Sequence, residues 1–262
     1  MRKYEFTGET KTLDNGVELQ RIRAVVSFGS IITGEVGGWI EKEGNLSHSG
    51  NAWVYGDAKV YSNAKVYGNA KVCGNAKVYG NAKVYGNAEV YSDAEVCGNA
   101  EVYSNAKVYG DAKVYSNAKV YSNAKVYGNA EVYSDAEVCG NAEVYSNAEV
   151  YGNAKVYGDA WVYGDAEVCG NAKVWGMTHV LVIGPAGSRD GFTTFYRDRD
   201  NGISVRCGCF NGKIDAFLKK VTETHGESKH AQVYRAAAGL AGMQIDLTPC
   251  GSSHDRQEGK HE

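Results

Sequence analysis

The sequence predicts a mostly β chain whose middle winds into a solenoid of short parallel strands. A small β cap precedes it and an α+β module follows. Three observations carry this prediction. Valine occupies every sixth position from Val54 to Val174, 21 times, and Val180 keeps the phase. Each unit then reads aromatic or Cys, Gly or Ser, Asn or Asp, Ala and usually Lys or Glu, as in "GNAKVYGNAKVYGNAEVY" at 74–91. Outside this stretch the wording changes at both ends.

The N-terminal segment, 1–49, is expected to be a cap. "KYEFTGETKTLDNGVELQRIRAVVSF" alternates as strands do, and "DNG" supplies a hairpin turn. "GEVGGWIEKEGNLSHSG" leads into the first repeat, with Trp39 and Ile40 expected to plug the open end of the coil. An end coil without a lid would expose an unpaired strand edge.

A six-residue period walks around an α-helix and cannot keep one apolar face. It suits a strand of about four residues followed by a fixed turn. Along Ala-x-Val, alanine and valine share the inner face while Lys, Glu and Tyr face out. The Gly/Ser–Asn/Asp pair tolerates the left-handed backbone that the turn requires. Successive turns in one sense make the chain coil, and neighbouring coils pair as parallel strands about 4.8 Å apart.

This pattern, over residues 50–180, resembles the hexapeptide-repeat left-handed β-helix. The resemblance implies a left-handed parallel β-helix of about seven triangular coils, with three hexads to each coil. "GGWIE" and "NLS" resemble the N-terminal cap of hexapeptide-repeat proteins found in phages, prophages and gut bacteria. A homotrimer is expected, as related helices often form. If the chain is phage-encoded, the host cytoplasm is its expected location.

Three hexads to a coil predict what stacks. Glu89, Glu95 and Glu101 each have a lysine one coil before and one coil after: Lys71 and Lys107, Lys77 and Lys113, Lys83 and Lys119. Such opposite-charge neighbours contribute roughly 0.2–1 kcal/mol each. Sixteen tyrosines follow the valines and are expected to stack in outward columns, either stiffening the coil or forming an interface. Trp53 and Trp161 fall in one column near opposite ends. Cys73, Cys97, Cys139 and Cys169 replace tyrosine at offsets that keep no two of them on adjacent coils of one face. No two can bridge or share a metal, and they read as neutral replacements.

The C-terminal module is expected over 181–247. "HVLVIGPAGSRDGFTTFYRDRDNGISVRCGCFNG" reads as strands and turns. "KIDAFLKKVTETHG" follows as a helix, with Ile214, Phe217, Leu218 and Val221 at helical spacing, Asn211 or Gly212 as its cap and Gly226 as its end. A second helix is expected from about Lys229 to Met243, with Val233, Ala237 and Leu240 inward, and a disordered polar tail from 248 to 262. "GCF.G…F…V..THG…K…Y" resembles a small module found behind repeat arrays in phage and clostridial proteins.

This module holds the candidate chemistry. Arg189, Arg197, Arg199 and Arg206 cluster at strand turns and could grip a phosphate, or could be ordinary turn charges beside Asp190, Asp198 and Asp200. Cys207 and Cys209 are placed on one strand face, with His225, His230 and Tyr234 downstream. A zinc pair and a Cys–His thiol enzyme are weighed against small cysteines packed beneath helices; no metal and no cofactor is expected.

Charge is nearly balanced, 28 Lys+Arg against 31 Asp+Glu, which argues against a nucleic-acid partner. No apolar run is long enough to span a membrane and no signal-peptide pattern is present, so a cytoplasmic, membrane-free setting is expected. The acyltransferases that the repeats resemble use a histidine base near a subunit interface. Here no histidine lies between His48 and His179, leaving His179 or His225 for that role. The leading expectation is a non-catalytic scaffold that binds a partner or sequesters a small anionic, nucleotide-like ligand. An acyltransferase and a passive spacer are the alternatives.

Overall fold

The computed structural model describes residues 2–248, so most of the tail expected to be disordered lies outside the described residues. The chain opens with β1 (Tyr4–Thr12), β2 (Glu18–Ala24) and β3 (Val36–Ile40). Twenty-one two-residue strands follow, β4 (Trp53–Val54) to β24 (Lys173–Val174), one per hexad. The C-terminal module has β25 (Val180–Ala186), β26 (Gly191–Arg197), β27 (Ile203–Cys207), β28 (Phe210–Lys213), α1 (Ile214–His225) and α2 (Lys229–Gln244).

The repeat strands pair every third one along, in parallel, on three faces. Partners lie three hexads apart throughout, as in Val96 beside Val78 and Val114. This is the expected β-helix, mostly β and left-handed. The first face runs from Trp53 through Glu89 to Trp161, the second from Lys59 to Glu167 and the third from Lys65 to Lys173. The hexad valines and their alanines are buried along the axis. The turn residue in the left-handed region is the Gly or Ser, not the Asn or Asp: φ is +59° at Ser116 and +72° at Gly110.

Every expected charge neighbour is present. Glu95 lies between Lys77 and Lys113, and Lys77 Nζ donates to its Oε1 at 2.7 Å. The tyrosines stack ring on ring, 4.8 Å apart for Tyr67–Tyr85. Each hydroxyl tends to donate to the glutamate of the next coil, as Tyr127 does to Glu143 at 2.8 Å. The asparagines form a further ladder: Asn99 Nδ2 donates to Asn117 Oδ1 at 2.9 Å, and Asn117 to Asp135 at 3.0 Å. The ladder stops there because a carboxylate has no hydrogen to pass on.

The cap adds an eighth coil. Ile40 pairs with Val60 and Leu46 with Val66, both in parallel and both two positions wider than the three-hexad spacing of the repeats. Ile40 continues the axis, whereas Trp39 packs outside it against Leu19 and Tyr61. "GGW" is required by close approach: a Cβ at Gly38 would stand 2.7 Å from the Ala58 carbonyl and one at Gly37 2.7 Å from the Trp53 ring.

At the other end β25–β28 form an antiparallel sheet, and β26 crosses the last coil. Tyr196 enters the axial core and its hydroxyl meets Cys169 Sγ at 3.3 Å. Cys169 is therefore not a neutral replacement; it stands where a tyrosine would occupy the space Tyr196 takes. Arg206 Nε donates to Glu167 at 2.7 Å, and Glu167 N–H donates to Thr194 Oγ1. No helix among the described residues is long and apolar enough to cross a membrane.

Candidate functional site

A concavity of about 230 Å³ opens in the C-terminal module, away from the repeats. Its walls come from the turn around Gly187–Arg189, the Cys207–Phe210 hairpin, α1 and α2. α1 contributes Phe217, Lys220, Val221, Thr224 and His225, the i, i+3, i+4, i+7, i+8 positions of one helix face. Phe217 and Val221 are buried as expected, but Lys213, without a side-chain cap, precedes the helix in place of Asn211 or Gly212.

Gly226 separates the helices at φ +55°, and Ser228 caps α2 through a bond from the Ala231 N–H. The inward residues of α2 are Ala231, Tyr234, Ala237, Ala238 and Ala241; Leu240, expected inward, is 43% exposed. The small alanines let α2 lie close to the sheet, and Tyr234 is the one large side chain it sends in.

Tyr234 organises the floor. Its ring meets Phe217 edge-on at 5.7 Å, and its hydroxyl accepts from the Ser188 N–H at 3.2 Å. A Cβ at Gly187 would collide with that hydroxyl, and φ is +81° there, so the position requires glycine. Phe210 lies 5.4 Å from Phe217, and Phe192 completes an aromatic lining. Arg189, Lys220 and His225 supply the basic groups, and among the described residues no Asp or Glu lines the space. Among the described residues Arg189 has no acidic partner, while Lys220 lies 3.7 Å from Glu223.

Cys207 and Cys209 do not share a strand face. Cys207 ends β27 and accepts from Thr193 Oγ1 at 3.1 Å, whereas Cys209 sits exposed in the turn to β28. Gly208, at φ +55°, makes this a two-residue turn, which the sequence reading missed by counting two-residue alternation straight through it.

Five of the nine residues singled out in the sequence thus meet at one place: Arg189, Cys207, Cys209, His225 and Tyr234. The other four do not line it. Arg197 is fully buried, stacked 4.0 Å over Trp175 and donating to the Asp246 carbonyl. Arg206 is tied to Glu167, and Arg199 lies exposed beside Asp200. His230 is exposed, 6.2 Å from His225. The sequence reading missed Phe192, Phe210, Phe217, Lys220 and Thr224 as site residues. The helical spacing of the last three with Val221 and His225 was the available signal.

His179 is buried at the end of the coil, where its Nδ1 accepts from the Trp175 N–H at 3.2 Å. Burial and the nearby Arg197 push its pKa down to about 4. Among the described residues no group of three His, Cys, Asp or Glu side chains is arranged to hold a metal ion. Neither the family models nor the curated proteins compared with this chain match it.

Proposed function

We propose that this protein is a non-catalytic scaffold whose C-terminal module binds a small anionic, nucleotide-like molecule. One observation carries the reading: an aromatic concavity whose basic lining groups are Arg189, Lys220 and His225, with no carboxylate lining it among the described residues. Aromatic rings suit a planar base, and guanidinium and ammonium groups suit a phosphate. The repeats hold this module at a fixed place through the Arg206–Glu167 pair and the seat of Tyr196 in the axial core. The resemblance of cap and repeats to phage-type proteins supports a homotrimer in the host cytoplasm that sequesters a host signalling nucleotide to counter defence.

Calorimetry with adenosine and guanosine monophosphates, against the free nucleosides, tests the ligand class. The expected result is binding of a monophosphate that weakens at least tenfold when the phosphate is removed or in Arg189→Ala. Equal affinity for nucleoside and nucleotide, or no heat with any of them, would overturn it. A second reading, a transferase, is favoured by His225 lining the same concavity. It requires turnover of an acyl-CoA donor that His225→Ala abolishes, whereas the binding reading predicts no turnover.

A further inference from the structure

The two ends of the first face are closed differently. At the N-terminal end Trp53 is fully buried, with Phe28 5.5 Å and Tyr4 6.3 Å from it, and the Lys3 ammonium donates to the Ala52 carbonyl at 2.7 Å. At the C-terminal end the last strand of this face is β22 (Trp161–Val162), which among the described residues pairs only with β19 (Glu143–Val144). Trp161 is 42% exposed and Tyr163 55%, the only large apolar side chains between Val54 and Val174 exposed to that degree among the described residues.

The backbone is also open there. Each coil donates to the coil after it: Glu143 N–H to the Ala160 carbonyl and Tyr145 N–H to Val162, both at 3.0 Å. Trp161 and Tyr163 repeat those positions one coil on, and among the described residues their N–H groups have no acceptor. The C-terminal module docks on the last strands of the other two faces, through Glu167 and Ala172. Nineteen of the 21 repeat strands carry Lys or Glu at the outward position; the two exceptions are the tryptophans at the ends of this face. One of those is covered by an added segment of the chain.

We infer that the free edge of β22 receives an extended peptide segment of another protein. Its carbonyls accept from the Trp161 and Tyr163 N–H groups, and its large apolar or aromatic side chains lie on those two rings. The residue between is small, because Val162 is already fully covered. This is strand addition to a sheet edge, in which main-chain bonds give affinity and alternate side chains give specificity. Water could satisfy the N–H groups, but not a tryptophan in a column of lysines and glutamates. A second copy fits less well, since stable interfaces bury on the order of 1,200 Å² or more and this edge is two residues long.

The test is fluorescence anisotropy of a labelled peptide, acetyl-NAWAYGN-amide, against a scrambled peptide of the same composition, with the full-length chain. The expected result is binding at least tenfold tighter than the scrambled control. It should weaken at least tenfold in Trp161→Lys and in Tyr163→Pro, which removes a donor, while both variants keep the wild-type circular dichroism and melting temperature within a few degrees. Equal binding of ordered and scrambled peptides, or variants that bind as wild type does, would overturn the inference. So would self-association in sedimentation that Trp161→Lys abolishes when no peptide binds, since the edge would then join copies of this chain.

Discussion

Seven serines in the repeats hold the left-handed turn that glycine adopts freely, Ser116 among them at φ +59°. For a residue with a Cβ this conformation costs roughly 1–2 kcal/mol, offset by the roughly 0.5–1 kcal/mol that glycine loses in chain entropy. Ser116→Gly is therefore expected to raise stability by about 0.5–1 kcal/mol in urea unfolding; a loss of stability would show that the hydroxyl holds the turn. His179 gives a pH signature. Its folded pKa, about 4, lies below the ordinary value of 6.5, so the unfolded chain binds the extra proton between them. The stability this residue contributes is complete above pH 6.5 and lost as pH falls toward 4. His179→Gln should lose less stability than wild type between pH 7 and pH 5, read from melting temperatures.

The strands are each two residues long and contribute little alone; stacking makes them a sheet. Val114 sits fully buried between Val96 and Val132, so Val114→Asp places a charge on a dry axis and is expected to abolish cooperative folding. Lys113→Ala, one residue away and facing out, is expected to change stability by less than about 1 kcal/mol because its ion pair is half exposed. Circular dichroism and thermal melts separate the two. The six-residue period made these elements legible in the sequence: it fixed which residues are inside, and the three-hexad coil taken from the resemblance then gave every Lys–Glu and Tyr–Tyr neighbour. The asparagine ladder was not legible, because its direction depends on which amide atom faces which coil. In the C-terminal module alternation placed the strands but not the tight turn at Gly208–Cys209. The inward face of α2 was also misread, because alanines, not large apolar residues, make its contact.

At the scale of the whole molecule, the stacked coils end in a module held to the last of them, and no repeat residue lines the concavity among the described residues. Glu167 and Arg206 form the one salt bridge between coil and module among the described residues whose two members are both partly buried. Glu167→Gln is expected to lower the stability of the module by about 1–3 kcal/mol, since it leaves the guanidinium without its charged partner. Hydrogen exchange should show faster opening of β26 and β27 while the repeat strands stay protected. The candidate site was half legible for a physical reason: arginines at strand turns look alike in sequence, and only the fold decides which are spent on the coil end, as Arg197 and Arg206 are. Arg189 is the one that reaches the concavity.

The most direct test of this account is native mass spectrometry of the full chain purified from cells, beside Arg189→Glu. Wild type is expected to carry a retained small anionic mass, or to take one up from a nucleotide mixture, and the variant to be bare. Bare protein in both, with no uptake from the mixture, would contradict it.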